Sequence, residues 1–285
     1  MKKRLLSVGI CFFCIIANFA IALAEGQWDT PAWRLDNSDK PHSLRSFRMD
    51  MENLTSGSGQ PNEFGFEELY RELSRQAEGP LYMVDLRQES HAFVLDEERK
   101  EHLSWHTKSN AANQGMGASE VMLDEEQRFG GLAGQTLTAE PMGNTDVKAG
   151  WPAVTMTVKS WQSEEKAATQ AGFRYARIAA LDMKWPEPQA IDEFLELWQS
   201  LPENAWLHLH CHAGHGRTTT FMVLTEMLRH PERSVIEVCR HQQELGGSNL
   251  LKNPERLSGL YLFKQYINEE LPKAQPLSWS EWLDS

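Results

Sequence analysis

His210-Cys211-His212-Ala213-Gly214-His215-Gly216-Arg217-Thr218 is the stretch on which the reading of this chain turns. Before it, Trp206 to His210 reads as a strand; after it, Thr218 to about Arg229 reads as a helix that stops before Pro231. A strand passing through a glycine-containing loop into a helix is the α/β arrangement that places ligands at strand carboxyl ends.

The spacing inside the loop is Cys-x5-Arg, with Cys211 and Arg217 at its ends, Gly214 and Gly216 inside and Thr218 following. Two glycines let the backbone curl so that successive N–H groups point inward, and the helix N-terminus adds partial positive charge there. Such a cradle fits a phosphate, with Ala213, Gly214 and Gly216 contributing mainly backbone. The same field favours the thiolate of Cys211 and so predicts a nucleophile. Arg217 is suited to grip two phosphoryl oxygens in a fork, and Thr218 to hydrogen-bond the sulfur as it leaves. An inert buried thiol would leave the glycines, Arg217, Thr218 and their strand-to-helix position as coincidences. His210 is expected to support the thiolate from behind. His212 and His215 are expected to line the site as cationic or hydrogen-bonding groups; their i, i+3 spacing on a curled loop, with no third ligand evident, predicts no metal. No cofactor is expected. Asp182, 29 positions before Cys211 and just after a predicted strand, is the candidate acid for the leaving oxygen and the later base for water.

Outward from the loop, Leu81 to Leu86 reads as a buried strand ending in the polar run Arg87 to His91, after a short helix over Phe66 to Gln76. Residues from about 92 to 155 have poor helical period and read as a small β-rich subdomain. Strand 153–158, a helix over 163–170 capped by Ser163 and stopped at Gly172, and strand 173–179 give a β-α-β pattern. Pro188 opens a helix with apolar Ile191, Phe194, Leu195 and Trp198 on one face. Residues 25 to about 60, ending in Ser56-Gly57-Ser58-Gly59, read as irregular approach chain.

Residues 1–24 have the form of an export signal: Lys2, Lys3 and Arg4, an apolar run, and Ala22-Leu23-Ala24 as cleavage site. Residues 25–285 then form a single domain, exported to the periplasm or secreted, with no membrane association after cleavage. Loss of the signal leaves 25 basic residues against 40 acidic ones, a net charge of −15. That excludes a general nucleic-acid surface and requires a locally basic pocket for any polyanionic substrate. Cys11 and Cys14 leave with the signal, so Cys211 and Cys239 are too few for a disulfide framework.

The His-Cys-x5-Arg-Thr signature at 210–218 resembles the protein-tyrosine-phosphatase superfamily. Val84-Asp85-Leu86-Arg87-Gln88-Glu89-Ser90-His91, the run from Arg177 through Asp182 to Trp185-Pro186, and Pro202 to His208 are similar to its bacterial phytases. The resemblance implies a phosphatase α/β domain with a central sheet flanked by helices and a small partial β-barrel. It also implies hydrolysis of myo-inositol polyphosphates through a cysteinyl-phosphate, with Cys211 as nucleophile, Arg217 as phosphate binder and Asp182 as acid. Ser46-Phe47-Arg48 resembles a segment whose arginine binds substrate phosphates, Lys184 adds a cation near the acid, and Gln242 is expected to orient water. Two departures stand out: Met183 follows the acid where the family often has His, and the stretch after Gly247 has few lysines. The alternatives are a protein-tyrosine phosphatase acting as a secreted effector, a rhodanese-like sulfurtransferase and a non-catalytic inositol-phosphate binder.

Overall fold

A computed structural model of the chain describes residues 32–36, 44–96, 102–141 and 154–285. Its central sheet has the order β2-β3-β10-β4-β9, formed by β2 (Arg48–Asp50), β3 (Thr55–Gly59), β4 (Leu81–Asp85), β9 (Arg174–Arg177) and β10 (Trp206–Cys211). All neighbours pair in parallel except β2 and β3. Side chains alternate across a strand, so β10 sends Leu207, Leu209 and Cys211 to one face. There they pack with α4 (Pro188–Ser200), α5 (Gly216–Arg229), α6 (Val235–Glu244), α7 (Pro254–Glu269) and α8 (Trp279–Asp284). Trp206 joins the opposite core with α1 (Gly65–Leu73) and α3 (Glu164–Ala171).

The remaining strands, β1 (Ala32–Asp36), β5 (His91–Asp96), β6 (His102–His106), β7 (Thr136–Pro141) and β8 (Val154–Gln162), close into a small barrel in the order β1-β6-β5-β8-β7. Its interior is apolar, built on Val94, Leu103, Trp105, Phe129, Met156 and Val158. The barrel leaves the central sheet after β4 and returns to it at β9. The expected export signal, residues 1–24, lies outside the described residues.

Three expectations are corrected. The β-rich segment contains a helix, α2 (Ala118–Phe129), whose buried positions are Val121, Glu125 and Phe129. Its middle buried residue is a carboxylate held by Arg177 at 2.8 Å, so the apolar period is broken where charge pairing replaces packing. The β-α-β pattern around α3 is not one unit, because β8 belongs to the barrel and β9 to the central sheet. The approach chain, read as irregular, contains β1, β2 and β3, and Ser56-Gly57-Ser58-Gly59 is a fully buried strand beside β10.

That strand is small and polar for physical reasons. A Cβ on Gly57 would lie 2.7 Å from Thr218 Cγ2 and 2.8 Å from Met222 Sδ, and one on Gly59 would lie 3.1 Å from the backbone of His212 and Ala213. The serines complete a directed hydrogen-bond chain: Trp206 Nε1 donates to Ser56 Oγ, which lies 2.9 Å from His208 Nδ1. His208 Nε2 lies 3.0 Å from Ser58 Oγ, which donates to Gly59 O at 2.6 Å. Satisfying every member puts the His208 proton on Nε2, and burial holds its pKa well below the ordinary value, keeping the ring neutral. Gly57→Ala is therefore expected to cost about 1–3 kcal/mol by overpacking, read as a lower urea midpoint with unchanged slope.

Candidate active site

The loop from Cys211 to Arg217 joins β10 to α5 and rests on β3. Gly214 has φ +78°, and a Cβ there would come within 2.3 Å of Gly59 N, so only glycine fits both the left-handed backbone and the close approach. Arg45 Nη2 donates to His212 O at 2.7 Å, and Arg48 Nη1 donates to Gly214 O at 2.9 Å, fixing the loop from outside.

Cys211 is 3 % exposed, and the Thr218 hydroxyl lies 3.3 Å from its sulfur. Burial pushes the thiol pKa up, but the Arg217 charge, the Thr218 hydroxyl and the N–H groups of Thr218 and Gly214 more than offset this and leave it lowered. Cys239 on α6 shows the opposite case: burial pushes its thiol up to about 11.

Arg217 is buried against Glu89, with Nη1–Oε2 at 2.6 Å and Nη2–Oε1 at 2.9 Å. Nη1 also lies 3.2 Å from Ala180 O, and Nε lies 3.2 Å from Asp182 Oδ1. Burial disfavours the Arg217 charge, yet Glu89 holds its pKa above the ordinary range. Asp182, partly exposed after β9, thus meets Arg217 at the loop, and its Oδ2 accepts from Asn110 Nδ2 at 2.6 Å.

The predicted residues divide by position. Cys211, Arg217, Thr218 and Asp182 converge. His210 lies behind the loop with Nε2 2.5 Å from Glu164 Oε1; burial opposes its protonation, but the Glu164 charge carries its pKa up. His215 lies on the open side, 3.3 Å from Ser46 Oγ. Of the cationic and hydrogen-bonding roles expected for His212, the pKa disfavours the cationic one: burial and then Arg87 depress it strongly, and the ring lies 4.7 Å from His106. Arg48 donates to Gly214 O, Ser46 O and Thr219 Oγ1, its Nε has no hydrogen-bond partner among the described residues, and burial lowers its pKa to about 10. Lys184 is exposed and 3.7 Å from Glu255 Oε2. Gln242 is buried with its amide N–H groups on Asp50 and Glu226, at 2.7 and 2.8 Å, and its Oε1 has no hydrogen-bond partner among the described residues.

Sequence reasoning missed three residues here. Glu89 binds Arg217 and also Arg87, whose Nε lies 2.8 Å away. Arg256 is buried on α7, with Nη1 2.5 Å from Thr220 Oγ1 and Nη2 3.0 Å from where a Cβ on Gly216 would lie. Asn110 holds the carboxylate of Asp182. The signal for Glu89 was its place in the polar run at the end of β4; Asn110 and Arg256 lie on distant segments with no local pattern. Below the loop, Asp85, Glu125 and Glu164 alternate with His91, Arg177 and His210. Burial and Arg87 oppose protonation of His91, and Asp85 and Glu125 raise its pKa to about 9.

A model of the PTP-like phytase family, described as inositol hexakisphosphate, matches residues 84–229, from β4 through the loop to the end of α5. The chain belongs to this family. Among solved structures, the tandemly repeated PTP-like phytase of Mitsuokella multacida is 28 % identical with a TM-score of 0.78, covering 92 % of this chain and 50 % of that one. The M. multacida PTP-like myo-inositol phosphatase in complex with myo-inositol-(1,3,4,5)-tetrakisphosphate gives 27 %, 0.77 and the same coverage. A PTP-like phytase from Bdellovibrio bacteriovorus is 27 % identical with a TM-score of 0.70, covering 90 % of this chain and 95 % of that one. The effector protein hopD2 of Pseudomonas syringae pv. tomato is 29 % identical over 221 residues, 72 % of this chain and 46 % of hopD2. The chain spans about half the length of hopD2 and of the tandem Mitsuokella phytase. The expected phosphatase fold with its barrel is thus the fold of the PTP-like phytases.

Two predictions test this geometry. Iodoacetate alkylation of Cys211 should titrate below the ordinary thiol value of about 8.5, and Thr218→Ala should move the midpoint upward because it removes a donor to the thiolate; an unshifted midpoint contradicts this. Glu89→Gln should destabilise by about 3–5 kcal/mol, because it leaves buried guanidinium charge uncompensated, measured by urea unfolding.

Proposed function

We propose that the chain is a cysteine-dependent phosphomonoesterase that hydrolyses myo-inositol polyphosphates. The observation that carries this reading is the convergence of a low-pKa thiol, a forked arginine and a carboxylate on one glycine-shaped loop at the end of β10. Membership of the PTP-like phytase family and the likeness to a phosphatase solved with an inositol tetrakisphosphate support the substrate class.

In this reading the phosphoryl oxygens sit among the loop N–H groups, at the N-terminus of α5 and against Arg217. The Cys211 thiolate attacks phosphorus, the S–P bond forms and the P–O ester bond breaks. The proton of Asp182, present as the carboxylic acid in this step, passes to the leaving alkoxide. In the second step the Asp182 carboxylate takes a proton from water, whose oxygen attacks the cysteinyl-phosphate. Phosphate leaves and the thiolate is restored, eased by the Thr218 hydroxyl. Every proton is supplied by side chains or water, so the cycle closes without a metal or cofactor. We place residues 1–24 as a cleaved export signal and 25–285 as one phosphatase domain, periplasmic or secreted; the effector name of hopD2 accords with export. No helix of the described residues is long and apolar enough to cross a membrane.

A second reading, a protein-tyrosine phosphatase acting as an exported effector, draws on the sparse free cations at the loop: His212 is neutral, Arg48 is occupied and Lys184 lies at the surface. Side-by-side turnover of inositol hexakisphosphate and a phosphotyrosyl peptide decides between them, and a preference for the peptide overturns the inositol assignment. With either ester, activity should persist in chelator and be lost in Cys211→Ser; full activity in that variant contradicts the mechanism.

A further inference from the structure

We propose that Asn110, delivered by the barrel, is a positioning residue for Asp182, a role that rests on the acid–base reading of the preceding section. Asp182 lies between β9 and α4 in a segment without regular hydrogen bonding, where the next residue, Met183, has φ +63° and is 77 % exposed. That segment holds the carboxylate at one oxygen through Met183 N, and the terminal torsion of an aspartate is broad and roughly two-fold. The two oxygens nevertheless have different partners. Oδ1 accepts from Met183 N at 2.9 Å and lies 3.2 Å from Arg217 Nε, while Oδ2 accepts from Asn110 Nδ2 at 2.6 Å.

Asn110 can do this because its own loop, residues 107–117 between β6 and α2, is tied down on both sides. Thr107 N donates to Ser90 O at 3.0 Å. Asn113, buried, accepts from Ser90 N at 3.1 Å and donates to Asp124 at 2.9 Å. Gln88 Nε2 donates to Met116 O at 3.0 Å. Ser90 and Gln88 belong to the segment that carries Glu89, the carboxylate that orients Arg217. Arginine and acid are therefore placed by one connected set of residues: Glu89 aims the guanidinium, and Asn110, braced on the residues flanking Glu89, turns Oδ1 toward it. Asn110 is an uncharged donor, so it orients the carboxylate without adding a charge that competes with Arg217 for it.

The role predicts a dependence on leaving group. An inositol alkoxide needs a proton from Asp182; a dinitrophenolate does not. The experiment measures kcat/KM, which reports formation of the cysteinyl-phosphate and not its hydrolysis, for inositol hexakisphosphate and 2,4-dinitrophenyl phosphate in the full chain, in Asn110→Ala, in Asp182→Asn and in the double variant. Asn110→Ala should lower kcat/KM on the inositol ester about tenfold and change it on the aryl ester by less than about twofold, since general acid catalysis contributes only to the former in the step that forms the cysteinyl-phosphate. In the Asp182→Asn background it should cause no further loss, because the two residues act as a unit. The Cys211 alkylation profile should be unchanged, which separates lost positioning from a disturbed loop. Equal losses on both esters, or a loss that persists beside Asp182→Asn, would overturn the role of Asn110 while leaving the phosphatase reading intact. If Asp182→Asn itself loses equally on both esters, the acid assignment fails, and the role of Asn110 fails with it.

Discussion

A single carboxylate, Glu89, sets the geometry of the centre. It is fully buried, takes two N–H groups of Arg217 and one of Arg87, and so allows two guanidinium groups to sit inside the protein beside a thiol. Burying one ion costs several kcal/mol, and the cost is offset only where geometry and extra hydrogen bonds are good. Here the Arg217 fork is nearly filled by Glu89 and Ala180 O, which leaves Nε without a hydrogen bond among the described residues, 3.2 Å from Asp182 Oδ1. Behind Glu89 the pattern repeats with Asp85, Glu125 and Glu164 against His91, Arg177 and His210, so charge alternates from the loop down to α3. These ions do not compensate one another through solvent. Each is paired because the strand ends of β4, β9 and β10 bring it to its partner.

This arrangement makes the loop electropositive with few mobile cations. On a chain of net charge −12, the local positive field comes from peptide N–H groups, the start of α5 and Arg217. Arg45 and Arg48 spend donors on loop carbonyls, and His212 is neutral.

The sequence carried the loop almost completely, because Cys211, Gly214, Gly216, Arg217 and Thr218 lie within one short stretch, even though Gly59 and Glu89, which hold Gly214 and Arg217, lie far away. Helices with local punctuation were equally legible: Pro188 opens α4, and Ser163 caps α3 by accepting from Lys166 N. What was missed shares one cause, a partner far along the chain. Ser56 to Gly59 looks like linker because the reason for its small side chains, the underside of the loop and Met222, is more than 150 residues away. Helix α2 lost its period at Glu125, whose partner Arg177 lies 52 positions on. For His212 the sequence left a cation and a hydrogen-bonding group both open: residue type supplies a proton site, whereas burial beside Arg87 disfavours filling it.

The excursion of the chain into the barrel between β4 and β9 also bears on how the protein assembles. Val84 pairs with Ala176 and Leu209 with Gly57, so the ladders of the central sheet join segments separated by some ninety to one hundred and fifty residues. Closing such long intervals must precede the contacts that reward it, and topologies dominated by distant pairings fold slowly. Strand β10, which ends in Cys211, pairs on both sides with strands made much earlier, and among the described strands it is the last in the sequence. Until it docks, the edges of β3 and β4 stand open, and the thiol that defines the protein has no cradle.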